Sequence, residues 1–241
     1  MFWKKKPVKL TFFTNDKNTF NYFKPRHGSD MLPSWWKKIG KNNLPTMKGC
    51  VGLTNAYSSS IIIPMWTDTE IKVKADGQYF YQFFDAKSAI TTHPPYQRGD
   101  FAPHEKFTHL KIRAPWVIKC DEDTKFVFTQ NVWSFNNVDD FIPLTGVVDF
   151  KYQHSVNVNL FVSNPSEIDR DITIEANTPF VFLYPQTERE VVLEFKLITE
   201  KEMEEIATDG FSFSKNSYYR KKKMIEELKQ HQNKCPFGGN K

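Results

Sequence analysis

Cysteine is scarce in this 241-residue chain: Cys50, Cys120 and Cys235 lie far apart and form no CxxC pair. Neither a zinc site of the usual spacing nor a disulfide framework is indicated. The spacing fits a reducing compartment. Long apolar runs are also missing, and none approaches the roughly 20 residues that cross a bilayer. At the start, Phe2-Trp3 precede Lys4-Lys5-Lys6, but Pro7 and the polar residues after Thr14 deny the segment the apolar stretch of a signal peptide. The expectation is a cytoplasmic protein with no membrane partner. Charge of one sign is not in excess either. With 33 basic and 28 acidic residues the formal charge is +5, too even to argue for nucleic acid.

The short signatures of catalysis are absent as well. There is no GxxxxGK[ST] or GxGxxG loop to cradle phosphates. Ser58-Ser59-Ser60 has no GxSxG elbow, and no cysteine sits near a histidine at a family spacing, so no nucleophile can be named. No HxH or HxD pair occurs, although a cupin or facial-triad oxygenase usually draws two ligands from alternate residues of one strand.

Aromatics, by contrast, are plentiful at 15%, with 22 Phe, and the hydrophobic fraction is 39%. That composition favours strands and a packed core. The length suits one main β domain with appendages. The most strand-like region is 141–184. Within 155–162, Val156, Val158, Leu160 and Val162 alternate with Asn157, Asn159 and Phe161, as in a half-buried strand. Ile172 and Ile174 alternate with Thr173 and Glu175 before a stop at Asn177. Residues 180–183 read as a strand buried on both faces. The predicted fold is mainly β, an antiparallel sandwich or jelly roll of cupin-like type.

Along the chain, residues 7–13 predict a first strand with Val8, Leu10 and Phe12 on one side. Residues 14–45 read as an irregular arm anchored by aromatics, with a helical turn at Trp35-Trp36 capped by Ser34 and stopped by Gly40. Strands are expected at 51–55, 60–64, 69–75 and 78–84, the last two joined by a hairpin at Asp76-Gly77. Residues 88–109 hold Pro94, Pro95, Gly99 and Pro103 and read as a long loop. Further strands are expected at 110–114, 117–120, 126–133, 146–152 and 191–197. Thr199 with Glu202 forms a capping box for a short helix, and 217–232 predicts a second helix before a glycine-bearing tail. The organisation is therefore an arm over 1–45, a β core over 46–198 and a helical appendage over 199–241.

His93, Asp100, His104, Glu105 and His109, with His154 and Asp149, are the residues from which a metal site would be built, His93, His104, His109 and Glu105 being the first candidates. His104 and His109 are five apart, so on one strand they would face opposite ways. Asp139, Asp140 and Asp149 offer carboxylates whose spacing in space alone would make them a glycosidase pair. The basic run at 220–223 has Glu226 and Glu227 as i,i+4 partners and reads as a solvated helix face. Trp35, Trp36, Tyr96, Trp116 and Trp133 are candidates for a carbohydrate or protein contact surface. Gln130 is expected on a strand, and Asp149 beside Arg189 as a buried pair.

The order of several short motifs then matters more than any one. They are residues 49–64, Ala114-Pro115-Trp116, Phe128-Thr129-Gln130, Leu144-Thr145-Gly146-Val147-Val148-Asp149, Asn177-Thr178-Pro179-Phe180, Tyr184-Pro185 and Glu188-Arg189-Glu190. Over about 33–194 the chain resembles an uncharacterised family of tailed-phage proteins with distant bacterial relatives. That family's segments run PW, a TQP-like strand, GIVDxD, GTPI and PFKRE. Here Asn131 replaces the proline, Phe150-Lys151 stands where a second aspartate is frequent, and the last segment reads PQTERE. The resemblance implies a β-sandwich or cupin-like fold and a phage context, without an activity to carry onto residues. The leading expectation is a non-enzymatic binding protein of the host cytoplasm, incorporated in the virion or serving its assembly, with other phage proteins or itself as partner and no cofactor. The alternative is a cupin-like oxygenase holding iron or another divalent metal. The third reading is a glycan-binding module.

Overall fold

The computed structural model describes residues 5–40, 46–76, 78–83, 90–92, 107–129, 141–163, 169–208, 224–225 and 227. Three sheets share one core. The first joins β1 (Val8–Thr14), β6 (Ile90–Thr92), β7 (Phe107–Lys119), β9 (Phe141–Pro143), β11 (Ser155–Ser163) and β14 (Val191–Leu197). The second runs β10 (Gly146–Val148), β8 (Phe126–Thr129), β13 (Pro179–Pro185), β3 (Ile61–Pro64), β2 (Arg26–His27). The third is β12 (Arg170–Ile174), β4 (Thr69–Val73), β5 (Tyr79–Phe83). The architecture is mainly β and of sandwich type, as the patterning predicts.

The alternating strands bury the residues their period assigns. On β1 Val8, Leu10 and Phe12 are fully buried, and on β11 Val156, Val158, Leu160 and Val162 are buried. Each contributes about 1.5–3 kcal/mol relative to exposure. β13 is buried on both faces, for a reason the sequence does not show. Val181 and Leu183 join the main core, while Phe182 turns to a smaller cluster with Met31, Tyr57 and Ile62.

That smaller cluster lies under helices where strands or irregular chain were expected. Residues 51–55 are not a strand: Val51–Ser59 form α3 in the chain's order of helices, after α1 (Lys17–Tyr22) and α2 (Ser34–Lys38). Val51 is well exposed and Tyr57 is buried. The helix turns Tyr57 into the cluster, while Leu53, one turn earlier, is half-buried. The ring of Tyr57 meets Phe182 edge-on at 5.7 Å. Within the arm, Asp16 caps α1 by accepting from the Thr19 amide at 2.5 Å. Pro33, not Ser34, is the N-cap of α2, without a side-chain bond, and Ile39 closes it.

Two pairings depart from the antiparallel expectation or its segmentation. β1 and β14 run parallel, Val8 opposite Val191 through Thr14 opposite Leu197. The whole intervening chain serves as the crossover that a parallel pair requires. The two short strands predicted at 110–114 and 117–120 are one strand, β7, which continues through Pro115. Pro115 has no amide to donate, and it sits where little is asked of it. On one side β1 ends at Val117 and β6 at Ile112; on the other the pairing with β11 slips between Ser155 and Asn157.

The β4–β5 hairpin forms as predicted, closed by Lys74 N donating to the Gln78 carbonyl at 2.7 Å. The strand expected over 146–152 ends at Val148, because Asp149 starts a turn, its Oδ1 accepting from Lys151 N at 3.0 Å. Helix α4 (Glu200–Thr208) opens on the predicted capping box: Thr199 N donates to Glu202 Oε2 at 2.8 Å, and Glu202 N to Thr199 Oγ1 at 3.3 Å. α4 lies beside β7. Of the second predicted helix, residues 224–225 and 227 are described and helical, and the Tyr152 hydroxyl donates to Glu227 at 3.1 Å. The appendage therefore touches its own chain. No helix among the described residues is long and apolar enough to cross a membrane.

Candidate functional site

The residues singled out from sequence do not gather at one place. His93, Tyr96, Asp100, His104, Glu105, Gln130, Trp133, Asp139 and Asp140 lie outside the described residues. Trp116 is fully buried, edge-on to Phe12 at 6.0 Å, and is a wall of the core. Trp36 is buried and stacks on Tyr57 at 6.4 Å, with Trp35 half-buried at its edge. Trp116 and Trp36 hold the fold rather than present a platform, while Trp35 keeps part of its ring at the surface.

The expected pairing of Asp149 with Arg189 is not made. Arg189 Nη2 instead meets Glu122 Oε2 at 3.0 Å, and its Nε donates to the Lys6 carbonyl at 2.6 Å. Asp149 is occupied with its own turn. The reason is topological: Arg189 lies between β13 and β14, next to the start of β1, and Glu122 lies in the β7–β8 connection.

His109 and His154 are both described, and they cannot share a metal. His154 is buried and its Nδ1 donates to the Ile118 carbonyl at 2.9 Å. His109 stands on the same strand, β7, nine residues away from Ile118, roughly 30 Å along an extended chain. Its Nε2 donates to Asn159 Oδ1 at 3.2 Å and its ring packs on Phe161 at 4.7 Å. Among the described residues no group of three His, Cys, Asp or Glu is placed to hold an ion. An iron site would use one of these two histidines at most, with at least one of its ligands outside the described residues.

A surface not singled out beforehand is the aromatic edge strand β5. Its sequence is Tyr79-Phe80-Tyr81-Gln82-Phe83, four aromatics in five residues with no charge. Antiparallel pairing with β4 sets Val73 opposite Tyr79, Ile71 opposite Tyr81 and Thr69 opposite Phe83. Opposed residues share a face, so Tyr79, Tyr81 and Phe83 line up with the buried side of β4, and Phe80 and Gln82 with exposed Lys72 and Glu70. β5 overhangs the core, however. Tyr81 is 42% exposed although Ile71 across from it is 1% exposed, and Phe80 on the other face is 56% exposed. The Tyr79 and Tyr81 rings are nearly parallel, 14° apart at 6.3 Å, and Phe83 closes the row at 5.4 Å from Tyr81.

Among the described residues β5 is paired on one side alone, and that edge is the more unusual feature. An edge strand presents unpaired backbone donors and acceptors, and proteins usually blunt it with charge, proline or shortness. Among the described residues the other edges follow that rule. β14 carries Glu194 and Lys196, β12 carries Arg170 and Asp171, β2 consists of Arg26 and His27, and β6, β9 and β10 are three residues each. β5 is five residues long and uncharged, and among the described residues no strand pairs with its outer side. The sequence signal is its composition, since one alternating set is wholly aromatic and the other, Phe80 and Gln82, has only one polar side chain to give to water.

Comparison with protein-family models and with curated proteins returns no match for this chain.

Proposed function

We propose that this chain is a non-enzymatic binding protein acting in or around a phage particle, and that it associates with a second copy of itself through β5. The observation that carries this reading is the uncharged aromatic edge. Antiparallel self-pairing about Tyr81 sets Tyr79 opposite Phe83 and Phe80 opposite Gln82, so no like charges meet. Aromatic cross-strand pairs each contribute about 0.2–1 kcal/mol, and the added backbone ladder supplies the rest of the contact, as in other strand-addition interfaces. The two-fold arrangement makes a continuous sheet from two three-stranded ones and removes the open edges. The phage setting is supported by the order of motifs between residues 33 and 194.

Sedimentation velocity across a wide concentration range tests the association. A monomer–dimer equilibrium is expected for the native chain, and a monomer for Tyr81→Lys, with the Val147→Lys control still dimerising. A native chain that stays monomeric throughout, or a dimer indifferent to Tyr81→Lys, would end the proposal. Mass spectrometry of purified particles tests the setting separately: the chain is expected there, and its absence would remove the virion from the reading.

A further inference from the structure

The crossover from the first sheet to the second holds a further feature, independent of β5. β9 pairs with β11 only from Leu160 to Val162. The chain then leaves the first sheet at Leu144 and Thr145 and enters the second, where Gly146 pairs with Phe128. Over residues 155–159 the edge of β11 is therefore not covered by β9. Between that edge and β10 lies a cavity of about 200 Å³.

Its lining is mixed in chemistry. The chain leading into and along β11 brings Gln153, Ser155, Asn157 and Asn159, with Val156 among them, and the crossover brings Thr145. Phe128, Val148 and Phe150 add apolar surface. Among the described residues that line it, none has an ionisable side chain. Two of the polar groups are already oriented by neighbours. Asn159 Oδ1 accepts from His109, which turns its amide NH2 into a pair of donors of fixed direction, and the Thr145 hydroxyl is 2.8 Å from that of Thr129.

We infer that this cavity is a binding site for a neutral, polyhydroxylated ligand of the size of one sugar residue. A charged ligand would lose its hydration and meet no ionisable group among the described lining residues; Lys111 and Arg113, opposite Asn159 and Asn157 on β7, stand beside the cavity but do not line it. A wholly apolar ligand would leave amides and hydroxyls unpaired, which costs more than their hydrogen bonds gain. A pyranose satisfies both kinds of group: adjacent hydroxyls pair with the carboxamides of Asn157, Asn159 and Gln153, and the C–H face of the ring packs on the phenyl groups. His109 acts here as a positioning residue for Asn159.

The test uses the full chain, labelled with 15N, titrated with glucose, galactose, mannose and N-acetylglucosamine, and with glucuronate as the charged comparison. For at least one neutral sugar, saturable shifts of the Asn157, Asn159 and Gln153 side-chain amide signals are expected, with glucuronate binding at least ten-fold more weakly. Asn157→Ala is expected to weaken binding about ten-fold, the effect of losing one good hydrogen bond, and Gln153→Ala, at an exposed position, provides a second variant should the first disturb folding. His109→Ala is expected to broaden the Asn159 amide signals before any sugar is added, a change that loss of packing elsewhere would not produce. Absence of saturable shifts with every neutral sugar, equal binding of glucuronate, or binding unchanged in both Asn157→Ala and Gln153→Ala would overturn the inference.

Discussion

Arg189 reaches Glu122 and not Asp149, and in doing so it ties the β13–β14 turn to the β7–β8 connection and to the backbone of Lys6 just before β1. Three segments distant in sequence meet at one guanidinium. Its planar fork is suited to this, because one donor serves the carboxylate while another serves a carbonyl.

A double-mutant cycle checks that arrangement. Arg189→Ala is expected to cost about 1.5–3 kcal/mol in urea unfolding, the range for hydrogen bonds to charged groups, toward the lower end because both partners are partly open to water. Arg189→Ala combined with Glu122→Gln should show a coupling of at least ~0.5 kcal/mol. Combined with Asp149→Asn it should be additive, and a strong coupling there would mean that the pair is made differently in solution.

Gly28 lies where the arm crosses α3, its amide donating to the Ser60 carbonyl at 2.9 Å. A Cβ at this position would collide with the Tyr57 carbonyl oxygen and Ser60 Oγ. A backbone oxygen cannot rotate aside, so Gly28→Ala must part the arm from the helix. The expected loss is about 1–3 kcal/mol by thermal or urea unfolding, with a reduced near-ultraviolet signal from the Trp36–Tyr57 stack. Unchanged stability would show that the arm does not press on α3.

Glu202 is held below the usual glutamate range by hydrogen bonds from the Thr199 amide and hydroxyl. A depressed folded value means that its stabilising effect is present above the unfolded value of about 4.3 and is lost as pH falls through the folded one. Far-ultraviolet circular dichroism is therefore expected to show a loss of α4 below about pH 4 that is absent from Glu202→Gln. Thr199→Ala should weaken the helix by about 1 kcal/mol at neutral pH. A native chain that holds its helical signal unchanged down to pH 2 would contradict the cap.

Much of the fold is readable from neighbouring residues because strand burial has a period of two. Val8, Leu10 and Phe12, the four apolar residues of β11, and the Asp76-Gly77 turn each signal their role within a few positions. The same is true of the Thr199–Glu202 box, whose chemistry is contained in four residues. Residues 51–55 mislead for the opposite reason: a short mixed stretch has no decisive period, and what anchors the helix is Tyr57, beyond that stretch, packed on Phe182. Among the candidate site residues, Trp116 and Trp36 are core residues, because a large aromatic side chain carries the same letter on a surface as in an interior.

By itself, then, the sequence determined the β class, the main strands, the hairpin and the cap, all of which follow from contacts between residues close in the chain. Tertiary structure decided the parallel pairing of β1 with β14, the partner of Arg189, the separation of His109 from His154, the exposure of β5 and the cavity beside β11. These depend on which distant segments meet, and chain connectivity and competition for one shared core settle that, with no local periodicity to announce it.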